Sequence, residues 1–198
     1  MADERLERWL RALVQTPGLT AVRDLSEARR VHLEEALAAT PLLEDGPVVD
    51  VGSGGGSPGI PLAAARPDLR VDLLDSNRRK CRFLERWAGE LENVRVVCAR
   101  AEEHARGPGH DAYGTAIARA LAPPPVALEW CLPLVRAGGR AILFVGPLVD
   151  QEAVAKATSL LAAEVEDGPP GFVLLRKTGP TPERFPRRPG MARKRPLA

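Results

Sequence analysis

The stretch that most constrains the fold is VVDVGSGGGSPG, residues 48–59, where a short apolar run passes directly into glycine. Such a run reads as a buried strand, and the glycines demand a tight loop after it. Glycine there lets the backbone turn sharply and approach a ligand with no Cβ in the way. The rest of the chain repeats the alternation. Apolar runs at 70–75, 94–99, 112–120 and 138–146 predict further strands. Stretches at 58–67, 77–92, 125–135 and 150–163 predict helices between them. A weak strand near 164–166 and a firmer one, FVLLRK at 172–177, close the series. The pattern predicts an α/β fold: a doubly wound, mostly parallel sheet with helices on both faces. Right-handed crossovers leave it few topologies.

Two helices precede the sheet. Leu6, Trp9, Leu10, Leu13 and Val14 recur at helical intervals over residues 3–15, and Pro17-Gly18 stops that helix. A second helix is expected from Ser26, as N-cap, to about Ala39, ended by Thr40-Pro41. The expected organisation is an N-terminal helical extension (1–45), the sheet domain (46–178) and an irregular, basic, proline-rich tail (179–198). That tail packs on the domain or extends from it. A chain of 198 residues can bury a core without disulfides or metals. Cys81, Cys98 and Cys131 are far apart and form no zinc-type spacing, which fits a reducing cytoplasm. No apolar run reaches the roughly 20 residues of a membrane span, and the acidic opening residues lack an export core. A soluble cytoplasmic monomer without metal is expected.

Charge is unevenly placed. Residues 176–198 carry eight Lys/Arg against one Glu, whereas residues 1–175 carry 20 against 25 Asp/Glu. An acidic body with a basic end points to a polyanion contact there, or to a solvated tail.

The glycine loop and Asp75, at the end of the second strand, form a pair suited to an adenosine-type cofactor, the carboxylate accepting from both ribose hydroxyls. Gly54-x-Gly56-x-x-Gly59 formally satisfies the dinucleotide fingerprint, so a nicotinamide cofactor stays open. Two details favour S-adenosylmethionine. Asp50, two residues before the loop, can hold a cationic amino group but would repel a pyrophosphate; its plainer role is to cap the turn. Glu102-Glu103, after the third strand, stand where adenine contacts usually lie in methyltransferases; the plainer reading of Glu102 is surface charge.

The string DVGSGGGSPGIPLAAARPDLRVDLLDSNRRKCRFLERW strongly resembles the rRNA small-subunit methyltransferase G family, also called glucose-inhibited division protein B. The family's ordered blocks fall at residues 50–67, 73–84, 100–102, Ala118-Arg119-Ala120 and 138–140. The ending FPRRPGMARKRPL (185–197) is similar to its closing signature, and LTAVRD (19–24) with His32 to its N-terminal segment. The resemblance implies a Rossmann-like class I methyltransferase sheet. It also implies methyl transfer from S-adenosylmethionine to N7 of a guanine in the 530 loop of 16S rRNA. Residue by residue, it implies Gly52, Gly54 and Ser57 against the cofactor, Asp75 on the ribose, and Ala101 and Glu102 at the adenine. Arg119 would be the catalytic and cofactor-side residue at the mouth for the target base.

Guanine N7 bears a lone pair and no proton, so its methylation needs no general base; alignment and electrostatics can supply the rate. No such role is therefore given to His32, His104 or His110, which read as structural or surface residues, and the cysteines read as core or partly buried thiols. RNA contact is expected from Arg187, Arg188, Arg193, Lys194 and Arg195, with Arg78, Arg79 and Lys80 near the cofactor edge. Phe185 can stack on a base or pack on the domain.

The sequence departs from the family at Ser57, usually a large apolar residue, and at Val145, usually Lys. Glu35-Ala36 stand in place of an Asp-Ser pair, and the N-terminal extension is shorter. Two other classes remain in view: a non-catalytic rRNA- or ribosome-binding relative, and a nicotinamide oxidoreductase.

Overall fold

The computed structural model describes residues 4–198. Its centre is a seven-stranded sheet in the order β3-β2-β1-β4-β5-β7-β6. The strands are β1 (Val48–Val51), β2 (Val71–Asp75), β3 (Val94–Cys98), β4 (Tyr113–Arg119), β5 (Val135–Phe144), β6 (Ala163–Glu166) and β7 (Phe172–Lys177). β1 to β5 run parallel, while β7 pairs antiparallel with both β5 and β6. The helices are α1 (Glu4–Gln15), α2 (Leu25–Arg29), α3 (Glu35–Leu37), α4 (Gly59–Ala65), α5 (Arg78–Ala88), α6 (Ala101–His104), α7 (Pro124–Cys131), α8 (Gln151–Leu160) and α9 (Met191–Lys194). The doubly wound class read from the alternation is the one observed.

Two apolar clusters sandwich the sheet. One joins Leu6, Trp9, Leu10 and Leu13 of α1 to Ile60 and Leu62 of α4 and Leu84 and Trp87 of α5. The other joins α7 and α8 to Phe185 and Ala192 of the C-terminal segment. The extension and the tail thus cover opposite faces. Residue 3, the start of the first expected helix, lies outside the described residues.

Several local features differ from expectation, each for a physical reason. Asp24, not Ser26, caps α2: its carboxylate accepts from the Glu27 N–H at 2.8 Å. The expected second helix is split by a π-helical turn, Arg30–Glu34. β5 begins at Val135 and carries Gly138-Gly139 inside a bulge, Tyr113 pairing with Val135 and Thr115 with Arg140. Gly114 within β4 makes room for the preceding segment: a Cβ there would lie 2.3 Å from the Asp45 carbonyl oxygen. Cys98 is exposed because β3 is an edge strand, while Cys81 and Cys131 are buried. The tail is not irregular throughout, since α9 lies in it and Phe185 and Ala192 are buried.

Two buried polar clusters escaped the sequence reading. Asp72 on β2 accepts from Tyr113 at 2.7 Å and from Arg95 at 2.6 Å. Lys177, at the end of β7, is 1% exposed, with Asp111 at 3.1 Å and the Leu132 carbonyl at 2.8 Å. Among the described residues no helix is long and apolar enough to cross a membrane.

α1 is fastened directly to the glycine loop. The Trp9 indole N–H donates to the Gly55 carbonyl at 2.8 Å, in a buried setting. Trp9→Phe removes that donor and leaves the carbonyl without it. The expected loss is about 1–3 kcal/mol of stability, measured by urea denaturation.

Candidate active site

The strand order reverses at β1 and β4, so the loops after these strands diverge and leave a crevice at their C-terminal ends. The loop after β1 is shaped by its glycines. Gly52, Gly54 and Gly56 adopt φ of +74°, +59° and +97°, a region that other residues avoid. The N–H groups of Gly52 and Ser53 both donate to the Leu74 carbonyl, at 2.7 and 3.0 Å. That pins the loop against β2.

The crevice holds a cleft of about 290 Å³ lined by Gly52, Asp75, Lys80, residues 99–102, Leu121, Trp130 and Arg193. Asp75 is placed by β2 at its edge. One carboxylate oxygen accepts from the Gly54 N–H at 3.0 Å and the other from the Asn77 N–H at 2.8 Å. Each oxygen has two lone pairs, so acceptor capacity remains for a pair of vicinal hydroxyls. Lys80 Nζ stands 4.0 Å away. Ala101 also lines the cleft, at the start of α6. The dimensions, the fixed acceptors and the side-chain-free loop fit an adenosine-containing cofactor.

Other expected site residues are placed differently. Asp50 is 1% exposed and lies behind the loop, accepting from the Gly59 N–H at 3.0 Å. Its geometry is the turn-capping one. Burial pushes its carboxyl up to about 7. Ser57 is not among the residues lining this cleft; its hydroxyl donates to the His32 carbonyl at 3.0 Å. Glu102 does line the cleft, but it is 3% exposed and one oxygen accepts from the Gly190 N–H at 2.9 Å. It is therefore a tether for the C-terminal segment and not surface charge.

Arg119, at the end of β4, faces a second cavity of about 560 Å³ together with Glu35, Phe144, Val145 and Phe172. Its guanidinium donates to the Val31 carbonyl and reaches the Ser57 hydroxyl at 3.4 Å. Glu35 lies 3.8 Å away and the Phe144 ring centroid 5.8 Å. Burial pulls its pKa down, opposed by Glu35 and Asp50. The π-helical turn supplies the carbonyls of Val31 and His32 to this cluster. Ala120, at φ +50°, lines both cavities, so the second opens beside the first. Val145, where a lysine is usual, leaves that wall apolar.

The basic tail divides. Arg187 makes a two-pronged ion pair with buried Glu129 and also donates to the Arg195 carbonyl. Its guanidinium is thereby committed inside the protein and not presented to RNA. Arg193 lies over the Trp130 ring, 5.1 Å from the centroid, in the first cleft. Arg188, Lys194 and Arg195 are exposed, and so is Arg193 despite its contact with the ring. Phe185 is 5% exposed and packs in the core, so it does not offer a face for stacking. Arg79 reaches the Pro17 carbonyl at 3.4 Å. Trp130 and Arg193 are among the cleft residues that the sequence reading missed as such; no local pattern joins them.

Asp50 generates a pH prediction. Its folded pKa lies above the ordinary 3.8, so between about pH 4 and 7 the folded state holds a proton that the unfolded chain releases. Folding stability therefore falls as pH rises through that window. Asp50→Asn, which keeps an acceptor for Gly59, is expected to flatten that fall in denaturation midpoints taken from pH 4 to 7.5.

Comparison with known proteins bears on the chemistry. The profile of the rRNA small subunit methyltransferase G family matches residues 3–169. A protein named Ribosomal RNA small subunit methyltransferase G from Synechococcus elongatus is 40% identical over 202 residues, covering 92% of this chain and 84% of the relative. One of the same name from Carboxydothermus hydrogenoformans is 39% identical, covering 96% and 90%. Among solved structures, a SAM-dependent O-methyltransferase from Thermotoga maritima superposes with a TM-score of 0.57 at 16% identity, over 84% of this chain and 74% of that one. This likeness concerns the fold, and it is the class I methyltransferase sheet that the resemblance implied. With a match over most of its length and curated relatives near 40% identity, the chain belongs to the rRNA small subunit methyltransferase G family.

Proposed function

We propose that this protein methylates 16S rRNA with S-adenosylmethionine, and that the acceptor atom is N7 of a guanine in the 530 loop. Family membership carries the reaction class and the RNA substrate. The cleft beside Gly52 and Asp75 carries the cofactor assignment. In this reading Asp75 takes the ribose hydroxyls, and the Gly52–Gly54 backbone and Ala101 line the cofactor. Asp50 acts at one remove, by fixing the loop through Gly59. When bound, S-adenosylmethionine supplies an electrophilic methyl group on a sulfonium sulfur.

This chain's residues then need to position a base and exclude water. The cavity beside Arg119 adjoins the cofactor cleft at Ala120 and offers Phe144 and Phe172 as apolar walls. Arg119 is held by Val31, Ser57 and Glu35 and is the positioned cation at that junction. A general base is not required for N7. In accord with this, none of the three histidines lines either cavity. Burial lowers His32 to about 4, and burial also lowers His104, which is hydrogen-bonded to Tyr113 at 2.7 Å. RNA phosphates meet the exposed cations Arg188, Lys194 and Arg195. The site of action is the cytoplasm, where ribosomal subunits are assembled.

The decisive assay incubates deproteinised 16S rRNA and small subunits with methyl-labelled cofactor. Label is expected on one guanine that becomes sensitive to borohydride and aniline scission, the signature of N7 methylation. Label on another atom or base would reject the N7 assignment. Bound cofactor with no labelled RNA would favour the non-catalytic reading, for which the apolar Val145 is the supporting feature. Separately, the triple change Arg188→Ala, Lys194→Ala, Arg195→Ala is expected to lower the slope of log affinity against log salt by about two, at roughly 0.7 per phosphate contact. Titrations of rRNA fragments at several salt concentrations measure it.

A further inference from the structure

The C-terminal segment is the part of the molecule whose placement departs furthest from its charge. It returns to the mouth of the first cleft and is clipped there at several points. The Gly190 N–H donates to Glu102 at 2.9 Å, at the end of the cleft next to β3. Arg106 donates to the Pro186 carbonyl at 2.9 Å, and Arg187 grips Glu129 of α7. Ala192 is 1% exposed and holds α9 against the core. These contacts leave Arg193, three residues after Gly190, over the indole of Trp130, and both side chains line the cleft.

Trp130 adds a second observation. The side chain is buried, and its indole N–H has no acceptor among the described residues. The nitrogen itself is closed off from the cleft, so the indole meets the cleft through the rest of its ring, which lines it together with Arg193 and Asp75. A ligand with a flat π-system matches this wall. It would lie against the guanidinium plane, which stacks on aromatic faces as lysine does not. An adenine ring has that property.

We propose that Arg193 and Trp130 form the closing wall of the adenosine site, so that the basic C-terminal segment is part of the cofactor site as well as an RNA contact. This rests on the cofactor reading above. Glu102 positions the segment through Gly190, and Glu129 does so through Arg187. Arg193 is thereby withdrawn from the set of phosphate-binding cations.

The test is made without RNA. Isothermal titration of the full chain with S-adenosylhomocysteine is compared across variants. Arg193→Ala is expected to weaken binding about tenfold, and Arg193→Lys by nearly as much, because charge without a plane does not restore the stack. Trp130→Phe, which leaves a smaller ring and a weaker support beneath the Arg193 guanidinium, is expected to weaken binding severalfold. Lys156→Ala, at an exposed position of α8, serves as a control for lost charge and is expected to bind like the unaltered chain. Thermal unfolding without ligand checks that each variant is folded. If the unaltered chain binds and both Arg193→Ala and Trp130→Phe bind equally well, the inference is overturned while the methyltransferase reading stands. If the unaltered chain does not bind, the cofactor reading itself fails, and the inference with it.

Discussion

The Gly59 N–H can meet the Asp50 carboxylate, at 3.0 Å, because residue 59 has no side chain. A Cβ there would stand 2.7 Å from that carboxylate oxygen and 2.3 Å from Leu73. The contact joins the end of β1 to the first turn of α4 across the loop, deep under the sheet edge. Everything above it follows. Gly52 and Ser53 fold onto Leu74, and Asp75 then receives the Gly54 N–H. A floor without side chains is left for a ligand. A second layer of support comes from α1, whose Leu13 fills the space that a Cβ on Gly55 would need. The loop is thus fixed from below by a carboxylate and from the side by a helix belonging to the N-terminal extension.

What the sequence made legible and what it hid divide along the range of the interactions. Strand and helix order came from local pattern, and β7 was read with its observed bounds because the apolar-led run FVLLRK lies between Gly171 and Thr178-Gly179-Pro180. Asp75 was legible because strand end and loop lie at a fixed separation in a doubly wound sheet. Asp50 was read as a choice between a ligand contact and a turn cap, and only the three-dimensional placement of Gly59 decides it. The cap of α2 was missed by two residues because Asp24 and Ser26 are both good capping types, and they bond to each other at 2.6 Å. For Arg187 and Arg193 the sequence suggested RNA contact alone, and for Lys177 no role. Their partners lie 58, 63 and 66 positions away, at Glu129, Trp130 and Asp111, and no periodicity reports on such distances.

The electrostatic asymmetry of the chain acquires a finer structure as a result. A run of cations is not equivalent to a basic surface. Arg187 neutralises a buried carboxylate, Arg193 lies on an indole while still exposed, and Arg188, Lys194 and Arg195 face outward without such a contact. The body of the protein shows the same economy of acids. Asp72, Glu102 and Glu129 are all nearly inaccessible, and each is met by a cation or a backbone donor. Burying such groups unpaired would be prohibitive, so these pairings fix which segments may touch which.

Lys177 bears on how the molecule responds to heat. Its ammonium, at the junction of β7 and the C-terminal segment, is ringed by Asp111, Thr181 and the carbonyls of Leu132 and Val135. The cost of stripping water from a charged group diminishes on warming, because charge hydration is entropically unfavourable. The anchorage of the C-terminal segment therefore gains relative to purely apolar contacts as temperature rises. Heat should loosen the helical covering of the sheet before it releases the segment that Lys177 holds.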